Sequence, residues 1–138
     1  MHRAFTFALL SASAVLLSAC ATQGTDTGSA PELAGRTFVW ADPVASSDKT
    51  PVIRFGTDGR VSGVTGCNNV MGSFTQEGGK LTFSRMGTTM MMCSPDAMKT
   101  EAAYLANLEA TRGATEADGA VLLTDEAGKV LMRLTPQG

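Results

Sequence analysis

The sequence predicts an α+β domain: a small antiparallel β-sheet of hairpins in a meander, partly barrel-like, with one main helix over residues 95–112. Three observations lead there. Short apolar runs rich in Val, Phe, Thr and Leu recur along residues 36–134 and are separated by turn-forming stretches. Those stretches carry Asp-Gly, Gly-Gly or Ala-Gly steps, which suit tight reversals between antiparallel neighbours. A single segment, just after Cys93, places apolar residues at helical spacing behind a capping serine.

Taken in order, RTFVWA (Arg36 to Ala41) reads as the first strand, with Phe38 and Trp40 on one face and burial as their expected fate. Asp42 to Pro51 is polar, with prolines near both ends, and reads as a loop. Val52–Phe55 and Arg60–Val64 flank Gly56-Thr57-Asp58-Gly59, a first hairpin. CNNVMGSF and KLTFSR flank Thr75 to Gly79, a second. Ala120–Thr124 and Lys129–Leu134 flank Asp125 to Gly128, a third; Leu131 breaks the one-sided alternation of Val130, Met132 and Leu134. Gly63, Gly66 and Gly72 inside strand-like sequence suggest bulges or close backbone approach. In the helix, Ser94 caps, Pro95 takes the first position and Asp96 complements the positive end of the dipole. Met98, Ala102, Leu105 and Leu108 trace its apolar face, and Gly113 follows Arg112 where a left-handed stop costs little.

The first residues set the compartment. Arg3 and an apolar stretch from Ala4 to Leu17 have the layout of a secretory signal; the stretch falls short of the roughly 20 residues a membrane-spanning helix needs. It ends in Leu17-Ser18-Ala19-Cys20, which resembles the bacterial lipobox and implies cleavage before Cys20 and acylation of that cysteine. Residues 1–19 are thus read as a lipoprotein signal, 20–32 as the lipidated cysteine and a flexible Thr/Gly/Ser-rich tether, and 33–138 as one folded domain. Ala21 after the cysteine points to the outer membrane, facing the periplasm.

Three cysteines then divide as one plus two, leaving Cys67 and Cys93 to each other in an oxidising envelope. Closing a loop of roughly 27 residues stabilises by about 3.5 kcal/mol in the chain-entropy treatment. An activated thiol is the weaker alternative, since the sole histidine, His2, leaves with the signal. The same absence excludes Ser-His-Asp and Cys-His catalysis and zinc sites of the usual Cys/His kind. Ser46 and Lys49 have a Ser-x-x-Lys spacing without the companion elements that chemistry requires. Without Arg3, ten basic residues face thirteen acidic ones, a balance unsuited to nucleic acid. No cofactor or catalytic residue is expected, and the chain is read as no enzyme.

Two features remain open to a ligand. Met86, Met90, Met91, Met92 and Met98 cluster in sequence, and thioethers suit copper(I); packing in an irregular core is the default reading of such residues. Asn68 and Asn69 could hold a ligand through their amides, although such asparagines more often bond local backbone.

The stretch from Gly59 to Cys93, with the helix after it, resembles the META domain, known also from the HslJ heat-shock lipoproteins. The residues that carry the resemblance are Gly66-Cys67-Asn68, Gly72, Leu81-Thr82, the Thr-x-Met-x-Cys element of Thr89, Met91 and Cys93, and the early helical Glu101. LAGRTFVW resembles the first strand of that domain, and VLLTDEAGKVLMRL its last hairpin. The resemblance implies a small secreted or lipid-anchored envelope protein with paired cysteines, in a family linked to heat stress, novobiocin resistance, motility and secretion. It implies no catalytic residue. The expectation is therefore a lipid-anchored stress or interaction module whose contacts are the membrane, through its anchor, and a possible envelope protein partner. The alternative is a small-ligand or copper(I) binder using the methionines.

Overall fold

A computed structural model describes residues 28–138. The signal, Cys20 and most of the expected tether lie outside the described residues. Eight strands follow one another: β1 (Thr37–Trp40), β2 (Val52–Phe55), β3 (Arg60–Val64), β4 (Asn69–Glu77), β5 (Lys80–Thr88), β6 (Gly113–Ala117), β7 (Ala120–Thr124) and β8 (Val130–Pro136), with α1 (Pro95–Ala110) between β5 and β6. Each strand pairs antiparallel with the next, and β1 pairs with β8 through Phe38↔Pro136 and Trp40↔Leu134, so the sheet closes into a barrel. The architecture is thus mostly β and more closed than a partly barrel-like sheet. Closure leaves no long free edge and turns one face of every strand inward. Phe38, Ile53, Phe55, Val61, Val70, Leu81, Leu123, Met132 and Leu134 fill the interior, as a barrel of this strand number requires. Phe55 stands at the centre, edge-on to Phe38 at 5.9 Å and to Phe74 at 5.0 Å.

The glycines of the β3–β4 region serve close approach. A side chain at Gly63 would run into the Val52 carbonyl, and one at Gly72 into the Met86 sulfur; Gly72 sits where the β4–β5 register shifts between Met71 and Ser73. β6 has no counterpart among the strands expected from sequence. Its residues, GATEA, are small and polar, but the Asp118-Gly119 step after it, with φ of 51° and 73°, is a two-residue reversal of the kind that joins hairpin strands.

The helix departs from expectation in two respects. It ends at Ala110 rather than Arg112; Thr111, the C-cap, is already extended, and Gly113 is the first residue of β6. Gly113 is not a left-handed stop. It is small because a Cβ there would come 2.7 Å from the Thr124 hydroxyl. The packed face is also rotated: Ala97, Thr100, Glu101, Tyr104 and Leu108 are buried, Ala102 is exposed, and Met98 and Leu105 are half-buried. Three of those five buried residues are polar, because α1 is tied to the barrel by hydrogen bonds as well as by apolar contact. Thr100 Oγ1 donates to the Ala45 carbonyl (2.9 Å), Tyr104 Oη to the Val52 carbonyl (3.1 Å) and Asn107 Nδ2 to the Leu131 carbonyl (3.2 Å). Burial pushes the Tyr104 phenol well above its ordinary value of 10.0. α1 also partly covers the β8 face that bears Leu131, which packs half-buried against the core. The residues from 28 to 31, read as tether, lie against the barrel: Ser29 accepts from the Glu116 amide (3.0 Å), and Pro31 accepts from Gln76 Nε2 (2.6 Å).

Candidate functional site

Of the residues singled out from sequence, Gly66, Cys67, Asn68, Thr89, Met91, Cys93 and Glu101 converge where β3 turns into β4, beneath the start of α1, whereas Gly72 lies farther along β4 and Leu81-Thr82 in β5. β3 ends in a turn over Thr65–Asn68, closed by the Thr65 amide donating to the Asn68 carbonyl (3.0 Å). Gly66 holds φ of 108°, a region L side chains rarely adopt, and a Cβ there would also press on Ser47 at 2.9 Å. That turn aims Cys67 and Asn68 inward. Cys67 is disulfide-bonded to Cys93, with Cα atoms 5.8 Å apart, which fastens the β3–β4 turn to the residue just before the cap of α1.

Asn68, 1% exposed, uses both ends of its amide. Its Oδ1 accepts from the Met91 amide (2.7 Å) and from Thr89 Oγ1 (2.9 Å). Its Nδ2 donates to the Met91 carbonyl (3.1 Å) and to Glu101 Oε1 (3.0 Å). Accepting from the N–H and donating to the C=O of one residue is what a neighbouring strand would do. The side chain of Asn68 therefore stands in for a missing strand along residues 89–91, which belong to no strand. The orientation of the amide follows from those two backbone groups, whose donor and acceptor are fixed.

Glu101 completes the cluster from the first turns of α1. Its Oε2 accepts from the Asn68 amide (2.9 Å) and from Thr65 Oγ1 in a short bond, while Oε1 takes the Asn68 side chain. Burial alone would raise the pKa of this carboxyl, but the bonds donated by the Thr65 hydroxyl and by the backbone and side chain of Asn68 together outweigh it and hold the carboxyl below its ordinary 4.5. Among the described residues, no buried side-chain nitrogen or oxygen in this cluster or elsewhere lacks a partner.

Chemically, this arrangement ties β4, residues 89–93 and α1 to one another. Asn68 has spent its amide, Glu101 both oxygens, and the two sulfurs each other. The amide of Asn69 pairs with Thr89 Oγ1 (3.0 Å), while its side chain faces solvent. The described residues bring together no group of three or more His, Cys, Asp or Glu side chains able to hold a metal ion. Surface grooves of about 550 Å³ beside Pro31 and Gln76, about 530 Å³ beside Arg60 and Gly72, and about 330 Å³ beside Val64 and Asn69 open on the barrel. Thr65 is the member that sequence reasoning missed; a threonine three residues ahead of Asn68, able to cap the turn, was the available signal. Of the clustered methionines, Met86 packs half-buried against the core and Met98 is half-buried, while Met90, Met91 and Met92 depart from the expected core packing. Met132 packs in the core at 1% exposure, but Met90 and Met92 are 89% exposed, Met71 62% and Met91 46%.

The described residues thus form a small closed antiparallel barrel with one helix fastened to it by a disulfide and a buried Asn–Glu cluster. Residues 32–138 match the META domain family, and the chain belongs to it. In fold it is similar to an NMR structure of a protein from Burkholderia xenovorans (23% identity, TM-score 0.61, covering 76% of this chain and 83% of that one). It is also similar to a second NMR structure (25% identity, TM-score 0.56, covering 75% and 90%). A third likeness is to the crystal structure of a DUF4847 family protein from Bacteroides vulgatus (12% identity, TM-score 0.57, covering 75% and 93%). No curated protein matches the chain.

Proposed function

We propose that this META-domain protein is a non-enzymatic module of the bacterial cell envelope, lipid-anchored at Cys20 and facing the periplasm from the outer membrane, which docks another envelope component or serves under envelope stress. The observation that supports a non-enzymatic reading is the closed state of the cluster: the Asn68 amide and both Glu101 carboxyl oxygens are committed to holding β4, residues 89–93 and α1 in place. The anchor rests on the Leu17-Ser18-Ala19-Cys20 box and the apolar run before it. A labelled fatty acid enters the wild-type protein in cells and is absent from Cys20→Ala; an unlabelled wild type contradicts the anchor. Crosslinking in intact cells recovers a protein or glycan partner on this reading, and repeated recovery of none contradicts the docking role.

A second reading, copper(I) binding, draws support from the display of thioethers at Met71, Met90 and Met92. Titrating reduced copper shifts the methyl resonances of those methionines if it holds. Unshifted signals remove it.

A further inference from the structure

The barrel makes no use of its two most exposed methionines. Burying an apolar side chain is favourable, and methionine commonly fills irregular cores, yet Met90 and Met92 are each 89% exposed. Between them the main chain is pinned, because the Met91 amide donates to Asn68 Oδ1 (2.7 Å) and the Met91 carbonyl accepts from Asn68 Nδ2 (3.1 Å). Two thioethers thus project from a fixed piece of backbone, and the cluster's hydrogen bonds use no methionine sulfur. Cys67 and Cys93 are already joined. With no free thiol among the described residues, the exposed thioethers are the softest nucleophiles the domain offers an oxidant.

We propose that Met90 and Met92 are oxidation sites of this domain, taking one oxygen atom each from a peroxide or a hypohalous acid without disturbing the fold. With hydrogen peroxide, a sulfur lone pair attacks one peroxide oxygen, the S–O bond forms as the O–O bond breaks, and the departing hydroxide gains the proton and leaves as water. The thioether is oxidised to a sulfoxide by two electrons and the peroxide is reduced by two. The consequence is local: an apolar, flexible surface beside the disulfide becomes polar, while the Asn68 bonds to Met91 and the cysteine pair remain. The inference rests on exposure and anchoring alone and stands apart from the membrane and copper readings.

The test treats the purified, metal-free protein, disulfide intact, with limiting hydrogen peroxide, and maps oxygen uptake residue by residue through fragment-ion mass spectrometry. Met90 and Met92 react at least about tenfold faster than Met132, as their accessibility implies. Tm stays unchanged while both sulfoxides form, and a methionine sulfoxide reductase restores the starting mass. In Met90→Leu/Met92→Leu, early oxygen uptake falls to that of the remaining methionines. Equal rates at Met90, Met92 and Met132, or a Tm that falls in step with oxidation of Met90 and Met92, overturns the proposal.

Discussion

Asn68 and Met92 each stand next in sequence to one of the two joined cysteines, Cys67 and Cys93, yet the fold treats them in opposite ways. Around Asn68 every buried polar side-chain atom has a partner; Met90 and Met92 are left almost wholly in solvent. A polar group inside must satisfy all its bonds or cost free energy, so its identity is constrained. A side chain outside a pinned backbone is free of that constraint. Of the motif residues, Asn68 and Glu101 belong to the first kind; Gly66 is constrained by its φ of 108°, and the Thr-x-Met-x-Cys element serves them through the Thr89 hydroxyl, the Met91 backbone and the Cys93 sulfur.

The sharpest break in that contrast is Asn68→Asp. It removes both side-chain donors and sets a second carboxylate against Glu101 Oε1, now 3.0 Å from Nδ2; an uncompensated buried charge costs about 3–5 kcal/mol, read as a fall in the urea midpoint. Losing the staple comes next. Cys67→Ser and Cys93→Ser each lower stability by about 2–5 kcal/mol, and the double variant is no worse than either, since both remove one bond. A double variant much less stable than the singles would show that the two sulfurs act separately. Glu101→Gln keeps the shape but turns an amide toward one of the donors that the carboxylate accepts, for a loss of about 1–3 kcal/mol. At the far end of the scale, Met90→Gln with Met92→Gln changes stability by no more than about 0.5 kcal/mol. A larger loss would mean that the displayed side chains pack after all.

The depressed Glu101 carboxyl also sets a pH dependence. A group whose folded pKa lies below its unfolded value stabilises the fold above the unfolded value, and that contribution drains away as pH falls through the folded one. Chemical denaturation at a series of pH values therefore shows a loss of stability below about 4.5, and the loss is smaller in Glu101→Gln. Equal acid sensitivity of the two proteins would contradict the assignment.

Much of this was legible in advance. The hairpins at Gly56–Gly59 and Asp125–Gly128 announced themselves because turn residues interrupt apolar runs, and Ser94 with Pro95 marked the start of α1. β6 was invisible because its pairing with β7 rests on backbone and on residues as small as Ala114, with no apolar run to advertise it. The helix face was misjudged because apolar spacing alone was read, whereas Thr100, Glu101 and Tyr104 face the barrel through hydrogen bonds. Nor did the motif disclose its own meaning. Asn68 could have offered its amide to a ligand, and only the position of Met91, brought alongside by the disulfide and the helix cap, shows the amide already taken.

The claim that carries the account is that Glu101 is an ionised acceptor clamped by Thr65 and Asn68. Titrating its side-chain carboxyl by ¹³C NMR in the intact, disulfide-bonded protein reads this directly. The account predicts a midpoint below 4.5 that moves upward in Asn68→Ala. A midpoint at or above 4.5 in the wild type, or one indifferent to the loss of Asn68, would contradict it.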